Sequence, residues 1–123
     1  MIAEDNGVNQ KLAVRLLSRF GYIADVAGNG LEVLQALQQK SYDLIFMDVM
    51  MPEMDGFETT RRILQICPIL HPPLIVAMTA NAMSGDRELC LQAGMHDYVS
   101  KPIHPEAVRD IITRWGDRAR RAG

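Results

Sequence analysis

Two cysteines, Cys67 and Cys90, occur among 123 residues, too few for a disulfide framework and without the CxxC spacing of a metal knuckle. Free buried thiols in a reducing compartment are the simpler reading. No apolar run reaches the length of a membrane span, and nothing at the start has the plan of a secretory signal. A basic excess is also missing. Lys and Arg total 13 against 15 Asp and Glu, a formal net charge of −2, which argues against a dedicated nucleic-acid binder. His71, His96 and His104 are scattered through loops and read as ordinary surface residues, with no His or Cys cluster to favour zinc. Hydrophobic residues at 48% and charged residues at 23% exclude a disordered chain. At this length folding hides roughly two-thirds of the unfolded surface. The composition reads as a soluble, cytoplasmic single domain.

The apolar pattern alternates short strands with helices. Met1-Ile2-Ala3 runs straight into Glu4-Asp5-Asn6, so the first strand looks cut short, as if the chain began inside an element. Val8, Leu12, Leu16 and Phe20 recur at four-residue steps, with Leu17 widening the stripe; this predicts a helix capped by Asn6 and stopped at Gly21. Tyr22 to Ala27 is a strand closed by Gly28-Asn29-Gly30, and Leu31, Leu34 and Leu37 mark the next helix. Leu44-Ile45-Phe46-Met47 and Leu74-Ile75-Val76-Ala77-Met78 are unbroken apolar runs, the signature of strands covered on both faces of a parallel sheet. Phe57, Arg61, Ile63 and Leu64 predict a helix that ends by Pro68. Ser84 or Asp86 opens another, with Leu89, Cys90 and Ala93 on one side and Gly94 as its stop. Tyr98-Val99-Ser100 is a brief last strand, and Pro105 begins a helix with the stripe Val108, Ile111, Ile112 and Trp115. Arg118-Ala119-Arg120-Arg121 reads as a frayed, solvated end. Five strand–helix units without a long linker predict a parallel sheet with helices on both faces.

In such a sheet, ligands sit beyond the carboxyl ends of the strands. Strand one ends at Glu4-Asp5, strand three at Asp48, strand four at Thr79-Ala80, and strand five runs into Ser100-Lys101-Pro102. Three carboxylates, a hydroxyl and an amine thus reach one edge from four strands. At about 4 Å and an effective dielectric of 20, each carboxylate pair repels by about 4 kcal/mol. The remedies are a raised pKa or a bound cation, and oxygen donors suit Mg²⁺. Thr79 and Lys101 can hold phosphoryl oxygens, and a carboxylate nucleophile beside Mg²⁺ and Lys describes phosphoryl-transfer chemistry. A single Asp after a strand is more often a turn or cap residue, and Asp55 and Asp86 are read that way. Met47 and Met78 read as core, and Met51 and Met54 as loop packing or a partner-facing apolar patch.

These residues carry a specific resemblance. Ile2-Ala3-Glu4-Asp5-Asn6, followed by Asn9-Gln10, resembles the acidic start of a two-component receiver domain. Met47-Asp48-Val49-Met50-Met51-Pro52-Glu53-Met54-Asp55-Gly56 closely matches the stretch around that family's phosphoacceptor aspartate. Thr79-Ala80-Asn81-Ala82-Met83 and Asp97-Tyr98-Val99-Ser100-Lys101-Pro102 resemble its last two signatures. The likeness spans Ile2 to Trp115 and is greatest to receivers of hybrid sensor histidine kinases. It implies a flavodoxin-like (βα)5 sandwich with strand order 2-1-3-4-5, a receiver domain over 1–117 and a basic tail over 118–123.

The resemblance also implies roles. Asp48 would take a phosphoryl group from a phosphohistidine. Asp5, Asp48 and the Met50 carbonyl would bind Mg²⁺ (or Mn²⁺ in its place), with Glu4 acting through metal-bound water. Lys101, Thr79 and the Ala80 amide would hold the phosphoryl oxygens. Thr79 and Tyr98 would form the switch that reshapes the surface of the fourth helix, fifth strand and fifth helix, and the Lys101-Pro102 bond would be cis. Met50 stands where relatives often carry a polar side chain that guides water, and Asn81 could meet incoming water. The implied partners are a histidine kinase, a histidine phosphotransfer domain or both, without direct nucleic-acid binding or membrane insertion. The domain would be a monomer or weak dimer: Arg109 and Arg114 could pair with acids of a second copy, though a solvated helix face is the simpler reading. Such a domain catalyses its own phosphorylation and dephosphorylation, within a hybrid kinase or as a free-standing regulator. Two other classes compete: a docking pseudo-receiver without phosphotransfer, and a Mg²⁺-dependent phosphatase, which would want a further acid–base residue and a substrate cap.

Overall fold

Strands and helices alternate as β1 (Ile2–Ala3), α1 (Gly7–Arg19), β2 (Val26–Ala27), α2 (Gly30–Gln39), β3 (Leu44–Asp48), α3 (Gly56–Ile66), β4 (Leu74–Thr79), α4 (Asp86–Ala93), β5 (Asp97–Ser100) and α5 (Pro105–Ala122). The structure, a computed structural model, describes residues 1–40, 42–51, 53–66, 73–80, 86–101 and 103–122; the side chains of 66, 86, 87 and 116–122 lie outside that description. All pairings are parallel, in the order β2-β1-β3-β4-β5. Fold and strand order are those the sequence implies.

Because successive residues of a strand face opposite sides, the two central apolar strands feed two cores. Ile45, Met47, Ile75 and Ala77 pack with Val33 of α2, Ile63 of α3 and Cys90 of α4. Ile2, Phe46, Val76 and Met78 pack on the other side with Ala13, Leu16 and Leu17 of α1 and Val108 and Ile111 of α5. Local chemistry fixes the helix ends. The Asn6 side chain accepts from Val8 N at 2.9 Å and Asn9 N at 3.0 Å, capping α1. Asp55 does the same for α3 through Glu58 N at 2.9 Å. Gly21 and Gly94, with φ of 86° and 103°, end α1 and α4 in left-handed backbone.

Several expectations are corrected. β2 covers only Val26–Ala27 rather than Tyr22 to Ala27: the register starts at Ile2↔Val26, Asp25 O accepts from Ile2 N at 2.8 Å, and Tyr22 N is turned back to Leu17 O of α1 at 3.0 Å. In α1, Val8 and Leu12 are exposed and the buried positions are Ala13, Leu16 and Leu17. The buried face of the helix centres on Ala13, Leu16 and Leu17, and by helical phase Val8 and Leu12 fall to its side. In α2, Val33 is buried while Leu31 is exposed, and in α4, Leu89 is exposed beside buried Cys90 and Ala93. α5 is continuous to Ala122, across the tail expected to fray. Met51 and Met54 are buried, so they pack the loop and offer no partner-facing patch.

Two surface readings also change. Arg114, on an exposed helix face, is ion-paired with the buried Asp97 of its own chain. His96 is half-buried, and its Nδ1 accepts from Ile75 N at 3.1 Å while its own N donates to Ile75 O at 2.8 Å. The β4–β5 register starts at Val76↔Asp97, so the imidazole provides an acceptor for an amide just ahead of the ladder.

Candidate active site

Where β3 ends, its last residue, Asp48, is already buried at 2% exposure. Asp48 Oδ1 accepts from Met50 N at 3.0 Å, an Asx turn that orients the carboxylate. The loop then returns on itself: Gly56 N donates to Val49 O at 3.1 Å. That return needs glycine, since a Cβ at position 56 would lie 2.5 Å from Asp48 O and 2.9 Å from the Val49 Cα.

β1 brings Glu4 to the same place, and β5 delivers Lys101. The Lys101 ammonium lies 2.8 Å from Asp48 Oδ2 and 3.3 Å from each carboxylate oxygen of Glu4. Glu4 is 1% exposed, and its Oε1 also accepts from Asn9 Nδ2 at 2.7 Å. Asp5 is exposed, and one oxygen each from Glu4, Asp5 and Asp48 lie within 4.8 Å of one another. Thr79 is fully buried at the end of β4, and its carbonyl accepts from Lys101 N at 2.9 Å, tying the tips of β4 and β5 together. Ala80 and Met50 are exposed at the rim, and Tyr98 is half-buried against the core that contains Cys90 and Met95. Asn81, Pro102 and the Lys101-Pro102 bond lie outside the described residues.

Sequence reasoning reached Asp48, Glu4, Asp5, Thr79 and Lys101 but gave no role to Asn9 or Gln10, which hold Glu4. The available signal was the Asn6 cap, which fixes the phase of α1 and turns its first residues back toward the end of β1.

The electrostatics follow from crowding. Three carboxylates against one ammonium leave a formal charge of −2, which one divalent cation would cancel. All donors in this group are hard oxygens, so the residues fit Mg²⁺. Burial and a hydrogen bond with Asp48 push the Glu4 carboxyl up to about 7, although Asn9 and Lys101 pull the other way. For Lys101, burial acts to lower the pKa, but the hydrogen bond to Asp48 and the charges of Asp48 and Glu4 outweigh it and raise the ammonium.

A pH dependence follows. Between about 4.5 and about 7 the folded chain keeps a proton on Glu4 that the unfolded chain releases, so this group's contribution to stability falls as pH rises through that window and is level above it. Lys101 stays charged throughout that range. In chelator, the urea midpoint of the parent is expected to fall from pH 5 to pH 8 relative to that of Glu4→Gln; the buried Met1 amine, lowered to about 6, acts the other way in both proteins and cancels in the comparison. An equal slope in both proteins would reject Glu4 as its source.

The fold and this edge define a doubly wound α/β protein with a buried acid–ammonium cluster beyond its strand ends. Residues 1–113 match the family described as the response regulator receiver domain, and the chain belongs to that family. It is 44% identical over 121 residues to hybrid signal transduction histidine kinase K of Dictyostelium discoideum, covering 91% of this chain and 10% of the kinase. Among solved structures, the receiver domain of sensor histidine kinase PA1611 from Pseudomonas aeruginosa PAO1 has a TM-score of 0.82 and 38% identity, over 93% of each chain. That structure has a magnesium ion coordinated in its active-site cleft. The receiver domain of Ssk1, co-crystallised with the histidine phosphotransfer protein Ypd1 of Saccharomyces cerevisiae, has a TM-score of 0.86 and 30% identity over 94% of this chain and 86% of the other. The chain is therefore a receiver domain of two-component phosphorelay signalling. Among its described residues, no helix is long and apolar enough to cross a membrane.

Proposed function

We propose that the chain is a phosphoryl-accepting switch, with Asp48 as nucleophile and a phosphohistidine of a histidine kinase or histidine phosphotransfer domain as donor. The observation that carries this reading is the buried Asp48 carboxylate, with Lys101 Nζ at 2.8 Å and the acids Glu4 and Asp5 beside it. An Asp48 oxygen attacks phosphorus, the O–P bond forms as the N–P bond breaks, and the imidazole leaves. Asp5, Asp48 and the Met50 carbonyl would hold Mg²⁺ or Mn²⁺, with Glu4 reaching it through water; the ion supplies positive charge against the phosphoryl oxygens. Lys101 moves from pairing with Asp48 to pairing with the phosphoryl group, and Thr79 and the Ala80 amide hold its other oxygens. Drawing Thr79 to those oxygens shifts the loop after β4, and Tyr98 turns in behind it, changing the α4-β5-α5 surface as a population shift.

The test is incubation with Mg²⁺ and acetyl phosphate, read by intact mass. One phosphoryl group is expected on the parent and none on Asp48→Ala. A parent that takes none, or an Asp48→Ala that still does, would overturn the reading.

Phosphoryl lifetime gives a further prediction. Met50 is exposed at 76% and offers water no polar contact from its side chain. Met50→Asn is expected to shorten the acyl-phosphate lifetime by a factor on the order of ten, by orienting the attacking water. Decay of the phosphorylated species by mass spectrometry checks this; an unchanged or longer lifetime would refute it.

A further inference from the structure

Two side chains in the first turns of α1 grip the end of β1. Asn9 Nδ2 donates to Glu4 Oε1 at 2.7 Å, and Gln10 Nε2 donates to the Glu4 carbonyl at 2.5 Å. The turn that carries them is itself fixed, because Asn6 caps it through the Val8 and Asn9 amides. Glu4 is thus held at its carboxylate by one residue and at its main chain by the next. The carboxylate has a competing attraction: Lys101 stands 3.3 Å from both of its oxygens while serving Asp48 at 2.8 Å.

We propose that Asn9 is a positioning residue for divalent-cation binding, acting through Glu4; this rests on the function proposed above. By holding Oε1, Asn9 keeps the Glu4 carboxylate from settling wholly onto Lys101. Without that hydrogen bond the carboxylate pivots onto the ammonium, competes with Asp48 for it, and is drawn away from the acidic group it forms with Asp5 and Asp48. The cation then meets a weaker anionic group. Partners that orient a metal-associated ligand are commonly worth tenfold to a hundredfold in metal affinity.

The experiment is calorimetric titration of MgCl₂ into the whole chain as parent, Asn9→Ala, Asn9→Leu, Glu4→Ala and the Glu4→Ala/Asn9→Ala double variant. Asn9→Ala is expected to raise the Kd for Mg²⁺ about tenfold. Asn9→Leu, which keeps bulk but not the donor, is expected to follow it. In the Glu4→Ala background, the Asn9 substitution is expected to change nothing, as a double-mutant cycle requires when one residue acts through the other. Parental affinity in Asn9→Ala or Asn9→Leu, or an undiminished effect without Glu4, would overturn the positioning role alone. A parent that binds no Mg²⁺ would overturn the underlying reading as well.

Discussion

Lys101→Met is expected to destabilise the protein by about 3 kcal/mol at pH 8 in chelator, the scale for removing one partner of a buried ion pair. Glu4 and Asp48 are 1% and 2% exposed and share this one ammonium. Without it, two adjacent buried carboxylates cannot both stay charged, so one takes up a proton. Glu4 is the candidate, because burial and Asp48 have already pushed it up to about 7. Holding that proton becomes costlier as pH rises, so the deficit relative to the parent is expected to grow by about 1 kcal/mol between pH 6 and pH 8. Urea denaturation at both values measures it. A deficit that stays constant, or is greater at pH 6, would contradict the shared-ammonium account. Phosphoryl acceptance is expected to fall by roughly 10²–10³-fold, the scale for losing one pre-placed electrostatic contact.

Gly56→Ala should be almost as damaging, for a steric reason. The added Cβ would meet Asp48 O at 2.5 Å and the Val49 Cα at 2.9 Å, both backbone atoms of the segment that carries the Asp48 carboxylate. No flexible side chain can yield there, so the loop or the end of β3 must move. A loss of about 3 kcal/mol is expected, the scale of overpacking against rigid neighbours, with Tm down by roughly 10 °C. Because the displaced atoms belong to Asp48 and Val49, phosphoryl acceptance should fall with stability. Gly7→Ala is the control: nothing lies within 4 Å of a Cβ there, and its position in α1 favours Ala, so Tm should hold or rise slightly. Equal melting of Gly56→Ala and parent, by calorimetry, would refute the close approach.

The division between what was and was not legible in the sequence is physical. Asp48 stands out because an unbroken apolar run ends in a carboxylate, and once a parallel sheet is inferred, every strand end converges on one edge. Glu4 and Lys101 are 97 residues apart, so no local pattern announces that they touch; only the strand order does. Their direct contact gives Glu4 a second role beside the water-mediated one expected for it. Apolar spacing misjudged Val8 and Leu12 because four-residue steps drift around the helix, away from the face that Ala13, Leu16 and Leu17 bury. His96 was misread for a related reason. Its value comes from an amide on another strand, Ile75 N–H, that lies just ahead of the backbone ladder.

Asp97, next to the switch candidate Tyr98, is buried and accepts at one oxygen from Trp115 Nε1 at 2.9 Å and from Arg114. Trp115 is the sole tryptophan of the chain, and its ring lies edge-on to His96 with centroids 6.0 Å apart. Indole emission responds to hydrogen bonding and to neighbouring imidazole. The molecule thus carries an intrinsic optical probe on the β5–α5 side, and unlabelled protein can be followed in a stopped-flow cuvette for the rearrangement proposed for that side.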